Sequence, residues 1–317
     1  MGRKALATFD SPRRSLSETH HKGPFPILLL RSALAILCEP ADEEVRLVTG
    51  LPPAWLAKSA ELVDALVGRH VFRSRINGVA RRHDFRITSA EVLPQALGAY
   101  WSQVLTPDGE LAATERSEML QKAVVGVLDI GFKTTDLATI VDGDWVPERS
   151  STLDFEGMSL LEARFAERLR AEFGVGFSAG SIEQAVLTGE VGFGNMQHSV
   201  EALLAEVSAE LAAQLLMEIE SRWQLHEFRQ VLIAGGGAHH IGARLVEALP
   251  SAVVLDEPAS ANARGYLGFG RRLHADGDIG GDEAPCVFAH DEFDDRGELD
   301  DLDIELDRIA SSIRSSG

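Results

Sequence analysis

Three short segments hold residue types suited to phosphate and metal chemistry. The first, Asp129-Ile130-Gly131-Phe132-Lys133-Thr134-Thr135-Asp136, sets carboxylates, a glycine and paired threonine hydroxyls between two apolar runs. As the turn of a β-hairpin it would present backbone N–H groups and hydroxyls to an anion. Asp129, at the strand end, would hold a hydrated Mg2+, an ion that prefers oxygen ligands and keeps several waters. The plainer reading of the same residues is a polar hairpin turn with no ligand.

The second segment, Val231-Leu232-Ile233-Ala234-Gly235-Gly236-Gly237-Ala238, runs from an apolar strand into three glycines. Glycines there let a ligand approach the backbone, and a following helix would aim its N-terminus at a phosphate. This is not a dinucleotide fingerprint, because His240 stands where the last glycine belongs, and the P-loop pattern G-x-x-x-x-G-K-[ST] occurs nowhere in the chain. A strand-to-helix turn without a ligand is the alternative. In the third, Val92-Leu93-Pro94-Gln95-Ala96, a strand ends at Pro94 and a helix starts, which puts Gln95 in its first turn. A glutamine there can orient an attacking water without being ionised; a solvent-facing glutamine is the simpler possibility.

The elements that must position these segments alternate along the chain. Helices are expected over 27–37, 56–67, 94–105, 160–173, 181–188, 199–223, 241–249 and 260–271, from their helical apolar stripes. Strands are expected over 44–49, 71–79, 84–92, 124–130, 135–141, 145–153, 231–234 and 253–255, with the Asn77-Gly78 turn joining one pair. A short strand at 5–9 and an exposed connection over 106–120 complete the reading.

Length and charge narrow the class. A chain of 317 residues suggests two domains. A net charge of −19 disfavours direct nucleic-acid binding, and 6% aromatic residues leave few stacking platforms. Cys38 and Cys286 form neither a disulfide framework nor a metal spacing, which fits a reducing cytoplasm. Adjacent histidines, at 20–21 and 239–240, face opposite ways on a strand and are poor metal pairs. The apolar run Pro26–Cys38 is shorter than the roughly 20 residues that span a bilayer, so no membrane segment is expected. His274–Gly317 holds 14 acidic and 3 basic residues. This tail is expected to be disordered, although Leu302, Leu306, Ile309 and Ile313 share a helical stripe that would suit a partner.

Taken in order, the strand-Pro-Gln-helix segment, Asp-x-Gly-x-x-Thr-Thr-Asp, Gly-Gly-Gly and Ala261-Asn262-Ala263-Arg264-Gly265-Tyr266, with Val48-Thr49-Gly50-Leu51-Pro52 upstream, resemble the actin-like ATPases of plasmid segregation, the ParM/StbA type. The resemblance runs from about Ile27 to Arg272. It implies an α/β, two-lobed actin-like (ribonuclease H-like) fold of the actin/Hsp70/sugar-kinase superfamily with a nucleotide cleft. Its first lobe would be 1–121 plus a return helix at 259–273, its second lobe 122–258, and 274–317 the acidic tail.

The same resemblance implies ATP and Mg2+ as cofactors, with Asp129 near the metal, Gly131, Thr134 and Thr135 lining the phosphates, and Gln95 positioning the hydrolytic water. Gly235, Gly236 and Gly237 would contact the adenosine and α-phosphate side. Gly157, in Phe155-Glu156-Gly157-Met158-Ser159, would open a nucleotide-facing helix. It implies self-assembly into filaments and a link to DNA through a separate adaptor protein. One departure stands out: the family's Asp-x-Gly-x-x-x-x-Lys hairpin does not occur before Ile27, and Lys4–Ser11 resembles only the stretch that normally comes after that hairpin. The fold is therefore expected to be N-terminally incomplete, and half a phosphate clamp should hydrolyse poorly. Within the superfold a small-metabolite kinase or a non-catalytic scaffold are the other expectations, whereas no peptide-binding β-domain follows to suggest a chaperone.

Overall fold

The computed structural model describes residues 24–38, 44–76, 78–154, 157–277 and 304–305. They divide into two compact units, one of Met1–Val48, Ala57–Val92 and Gly280–Gly317, the other of Thr49–Leu56 and Leu93–Ile279.

The first unit is built on a sheet in the order β1-β3-β2-β12, with β1 at Glu44–Leu51, β2 at Gly68–Ile76, β3 at Val79–Pro94 and β12 at Ile304–Glu305. β2 and β3 pair antiparallel from Gly68↔Ile87 to Ile76↔Val79. The hairpin turn is shorter than the sequence suggests, since Gly78 takes a φ of +75° and lets pairing resume at Val79. Alternation then sorts the side chains: His70, Phe72, Ser74, His83, Phe85 and Ile87 are buried on one face. That face meets helix α1 (Pro24–Leu37), whose Leu30, Leu34 and Ala35 are buried. α1 also packs on α2 (Ser59–Leu66). A 3-10 turn over Pro53–Lys58 replaces the first part of the helix expected at 56–67.

The second unit carries a six-stranded sheet of order β11-β10-β4-β5-β6, with β7 also paired to β5. Its members are β4 (Val124–Ile130), β5 (Thr134–Val141), β6 (Asp144–Trp145), β7 (Ser151–Asp154), β10 (Gln230–Ala234) and β11 (Ala252–Val254). β10 runs parallel to β4 and β11, and β4 runs antiparallel to β5. Helices cover both faces, so the central strands are apolar on both sides. Leu128, Ile130, Leu137, Val231 and Ile233 join one core with α5 (Met158–Phe173), α6 (Ala179–Thr188), α7 (Glu201–Arg222) and α8 (Ala238–Ala248). Val125, Val127, Ala138, Ile140, Leu232 and Ala234 join the other, with α3 (Leu97–Val104), α4 (Glu115–Gln121) and α9 (Ala261–Gly277). On the α7 stripe Val207, Leu211, Leu215 and Ile219 are fully buried.

Several expectations are corrected. Residues 106–120 are not simply an exposed connection: α4 starts there, capped by Thr114 Oγ1, which accepts from the Ser117 N–H at 3.1 Å, and Leu120 is fully buried. The strand expected over 145–153 is split by a 3-10 turn at Pro147–Arg149. A hairpin of β8 (Glu190–Phe193) and β9 (Met196–Ser199) was missed, because its short, mostly exposed strands carry little apolar alternation. The segment 5–9 and the stripe residues Leu302, Leu306, Ile309 and Ile313 lie outside the described residues. Among the described residues no helix is long and apolar enough to cross a membrane.

Candidate functional site

The antiparallel register sets Asp129 of β4 opposite Asp136 of β5, and the parallel register sets Ala234 of β10 beside Asp129. Strand alternation turns both carboxylates toward the α3/α9 layer, the side that Val125 and Val127 also face. Both are buried, at 2% and 1% exposure. Asp129 Oδ2 accepts two side-chain amides, from Gln95 Nε2 at 3.1 Å and from Asn262 Nδ2 at 2.7 Å. Burial pushes the Asp129 carboxyl up, and the Asn262 and Gln95 amides pull it back in part. Burial, then the neighbouring Asp129 charge, pushes Asp136 well above the usual carboxylate range.

The two bends lie side by side. The Gly237 N–H donates to Ile130 O at 2.8 Å, and the Gly131 N–H closes the hairpin turn onto Thr134 O at 2.9 Å. Gly235 has a φ of +84°, and a Cβ on it would stand 2.4 Å from Ile130 O and 2.6 Å from Asp129 Oδ1. Only glycine suits that backbone and that space. Gly236 is exposed, with open space where a Cβ would point. Thr134 and Thr135 are buried within β5. Gly157 caps α5 against the same turn: the Met158 and Ser159 N–H groups donate to Gly131 O and Phe132 O at 3.0 and 2.7 Å. On the outer side of the turn Lys133 Nζ lies 5.0 Å from the centre of the Trp55 ring.

Gln95 is placed differently from the expectation. β3 runs to Pro94 and α3 begins only at Leu97, so Gln95 sits in the corner between them, outside the helix. Its backbone is held on both sides: its N–H donates to Leu51 O at 2.8 Å, and its carbonyl accepts the Tyr266 hydroxyl at 2.8 Å. α9 can deliver Asn262 and Tyr266 because it crosses α3 on glycines; a Cβ on Gly265 would stand 1.8 Å from Gly98 O. Burial, then Asp129 and Asp136, push the Tyr266 phenol well up. Asn262 and Tyr266 were visible in the sequence as part of a motif, but their link to Asp129 and Gln95 depends on a helix crossing that spacing does not reveal.

Among the described residues no group of three or more His, Cys, Asp or Glu side chains is arranged to hold a metal ion. The donor set is one strand-end carboxylate beside open glycine backbone. That fits an ion such as Mg2+, which keeps most of its waters and shares its ligands with phosphates. Among the described residues Asn262 Oδ1 and Asp136 Oδ1 are buried without a hydrogen-bond partner, so the site holds polar capacity that those residues leave unused.

Comparison with known proteins bears on the fold. The family model for the N-terminal domain of actin-like proteins matches residues 1–98, and that for the C-terminal domain of archaeal MreB-like actin homologues matches residues 127–247. Two actin-like family models thus match successive parts of the chain. Its fold is shared with solved ParM and archaeal actin-homologue structures. A non-polymerisable quadruple mutant of pCBH ParM is 23% identical, with a TM-score of 0.67 over 81% of this chain and 78% of that one. A 15-stranded ParM filament from Clostridium botulinum is 22% identical, with a TM-score of 0.65 over 81% and 76%. An archaeal actin homologue, Ta0583, in complex with ADP is 20% identical, with a TM-score of 0.66 over 79% and 79%. A search of the curated proteins finds no match.

Proposed function

We propose that the chain binds ATP with Mg2+, assembles with copies of itself into filaments and hydrolyses the nucleotide, serving plasmid DNA segregation in the cytoplasm through a separate adaptor. The observation that carries this reading is the convergence of Gln95 and Asn262 on one oxygen of Asp129, beside a bend at Gly235 where a side chain would collide with Ile130 O and Asp129 Oδ1. The two actin-like lobes would be 1–121 with 259–273, and 122–258. Asp129 would hold the hydrated metal, which supplies charge neutralisation at the phosphates. Gly131, Thr134 and Thr135 would line the phosphates, Gly235–Gly237 and the Gly157 turn would frame the nucleoside side, and Gln95, its backbone fixed at both ends, would orient the attacking water. A ParM filament and an ADP complex among the structures of the same fold support assembly and nucleotide binding. Head-to-tail contacts that do not close give open filaments.

The test is sedimentation of the full chain with and without Mg-ATP: a pellet only with nucleotide is expected, and a soluble chain under both conditions would overturn assembly. Asp129→Ala should abolish Mg2+-dependent phosphate release while circular dichroism stays native. Gln95→Ala should slow hydrolysis roughly a hundredfold and change nucleotide affinity far less. Equal losses in rate and affinity would make Gln95 a structural residue.

A further inference from the structure

Two side chains of α9 reach the candidate site from a layer other than the strands that carry it. Asn262 and Tyr266 stand four residues apart, so they share one face of the helix. Asn262 Nδ2 donates to Asp129 Oδ2 at 2.7 Å, and the Tyr266 hydroxyl donates to Gln95 O at 2.8 Å. The same carbonyl accepts the Gly98 N–H at 3.2 Å, which closes the corner into α3.

The neighbouring backbone leaves room for this approach. A Cβ on Gly50 would stand 1.9 Å from Tyr266 Oη and 2.9 Å from Gln95 Cα, and a Cβ on Gly98 would stand 2.6 Å from both Cα and O of Asn262. Glycines in β1 and α3 thus hold α9 at close range, and what the approach secures is one hydrogen bond to each of two site residues. The chemistry of the donors matters as much as their reach. An amide does not ionise, so Asn262 and Gln95 orient the Asp129 carboxylate without forming the ion pair that a lysine or arginine would make there. A carboxylate held in this way keeps its charge for a cation. The direction of the Asn262 amide follows from the same charge: turned the other way, its oxygen would face a carboxylate oxygen. In the direction taken, Oδ1 is buried without a partner among the described residues.

We infer that Asn262 and Tyr266 are positioning residues: Asn262 orients the Asp129 carboxylate for its cation, and Tyr266 fixes the backbone corner from which Gln95 acts. The inference rests on the nucleotide reading above. It adds that one face of one helix, 133 and 171 positions further along the chain than the residues it holds, sets the geometry of both groups.

Calorimetry of ATP binding to the full chain, with Mg2+ and with EDTA, tests the first half. Asn262→Ala should weaken ATP binding in Mg2+ roughly tenfold and change binding in EDTA by less than about twofold. Equal weakening in both media would make Asn262 a structural residue and overturn its part, and so would unchanged binding in both. If Asn262→Ala does not fold, Asn262→Leu keeps the branched shape without the polar atoms and takes its place. Phosphate release tests the second half through a double-mutant cycle. Tyr266→Phe should lower kcat roughly fivefold with ATP affinity unchanged, and added to Gln95→Ala it should cost less than about twofold more. The same fivefold loss in both backgrounds would show that Tyr266 does not act through Gln95. Failure of the wild-type chain to bind ATP in either medium would bring down the nucleotide reading and this inference with it, whereas wild-type binding with unselective variants sinks the inference alone.

Discussion

The β2–β3 pair of the first unit and the β4–β5 pair of the second both bury ionisable side chains, with opposite chemistry. His70 and His83 are 5% and 2% exposed, Asp129 and Asp136 2% and 1%. The histidines lie within their strands, under a helix. His83 stacks between Phe72 and Phe85, at 4.8 and 5.6 Å, and shares a hydrogen bond with Ser74 Oγ at 2.8 Å. His70 bonds Leu66 O at 2.8 Å. Arg31 of α1 reaches over the Phe72 ring. The carboxylates lie where strands end in glycine bends, and the amides that reach Asp129 come from other elements. All four side chains are shielded from solvent, the carboxylates the more deeply. What separates a core from a candidate site is position: a buried charge in mid-strand is covered by its own unit, whereas one at a strand end beside open backbone can face a ligand.

The most direct way to break this contrast is Gly235→Ala. The methyl would meet Ile130 O and Asp129 Oδ1 at a left-handed φ. A loss of about 2 kcal/mol or more in unfolding free energy is expected, together with loss of nucleotide binding. A variant as stable as wild type by thermal unfolding would show that the bend is not forced, and the second site would lose its distinction from the first.

The next effect is the pH dependence, which has opposite sign in the two units. Burial lowers both histidines from an ordinary 6.5, with Arg31 adding to the effect at His70 and Arg81 at His83. The unfolded chain therefore binds more protons as pH falls through 6.5, and the first unit loses stability from there down to the lowered native values. Asp129 and Asp136 are raised from 3.8. The folded state then holds the extra protons, and the second unit gains stability from these groups as pH falls through their raised native values toward 3.8. Hydrogen exchange at pH 7 and pH 5.5, corrected for intrinsic rates, should show β2–β3 protection falling several-fold while β4–β5 protection holds or rises. Parallel losses in both hairpins would remove the contrast.

Legibility in the sequence followed the same division. The apolar strands β4, β5 and β10 and the long helix α7 could be read because burial on both faces, or on one stripe, leaves a dense pattern. Asp129 and the two glycine bends stand out in the sequence because each interrupts a dense apolar strand pattern. The partnership of Asn262 and Tyr266 with Asp129 and Gln95 could not be read: it joins residues more than a hundred positions apart, through a helix crossing set by Gly98 and Gly265. Gln95 lies outside the helix that the sequence suggests, because a proline that ends a strand and one that opens a helix look alike in sequence.

The smallest effect belongs to the exposed side of the first unit's sheet. Arg69 holds Asp84 with two parallel hydrogen bonds, from Nε at 2.9 Å and Nη2 at 2.8 Å, and that bond is the main reason the Asp84 carboxyl titrates low. Both side chains are well exposed, so solvent screens the pair. Asp84→Asn should cost less than about 0.5 kcal/mol by urea unfolding. It should also leave the acid loss of the first unit in place, because that loss belongs to the inward histidines. If Asp84→Asn flattened the pH profile instead, the outward ion pair rather than the buried imidazoles would set the unit's acid response, and the contrast with the buried carboxylates would have to be redrawn as one between surface and core.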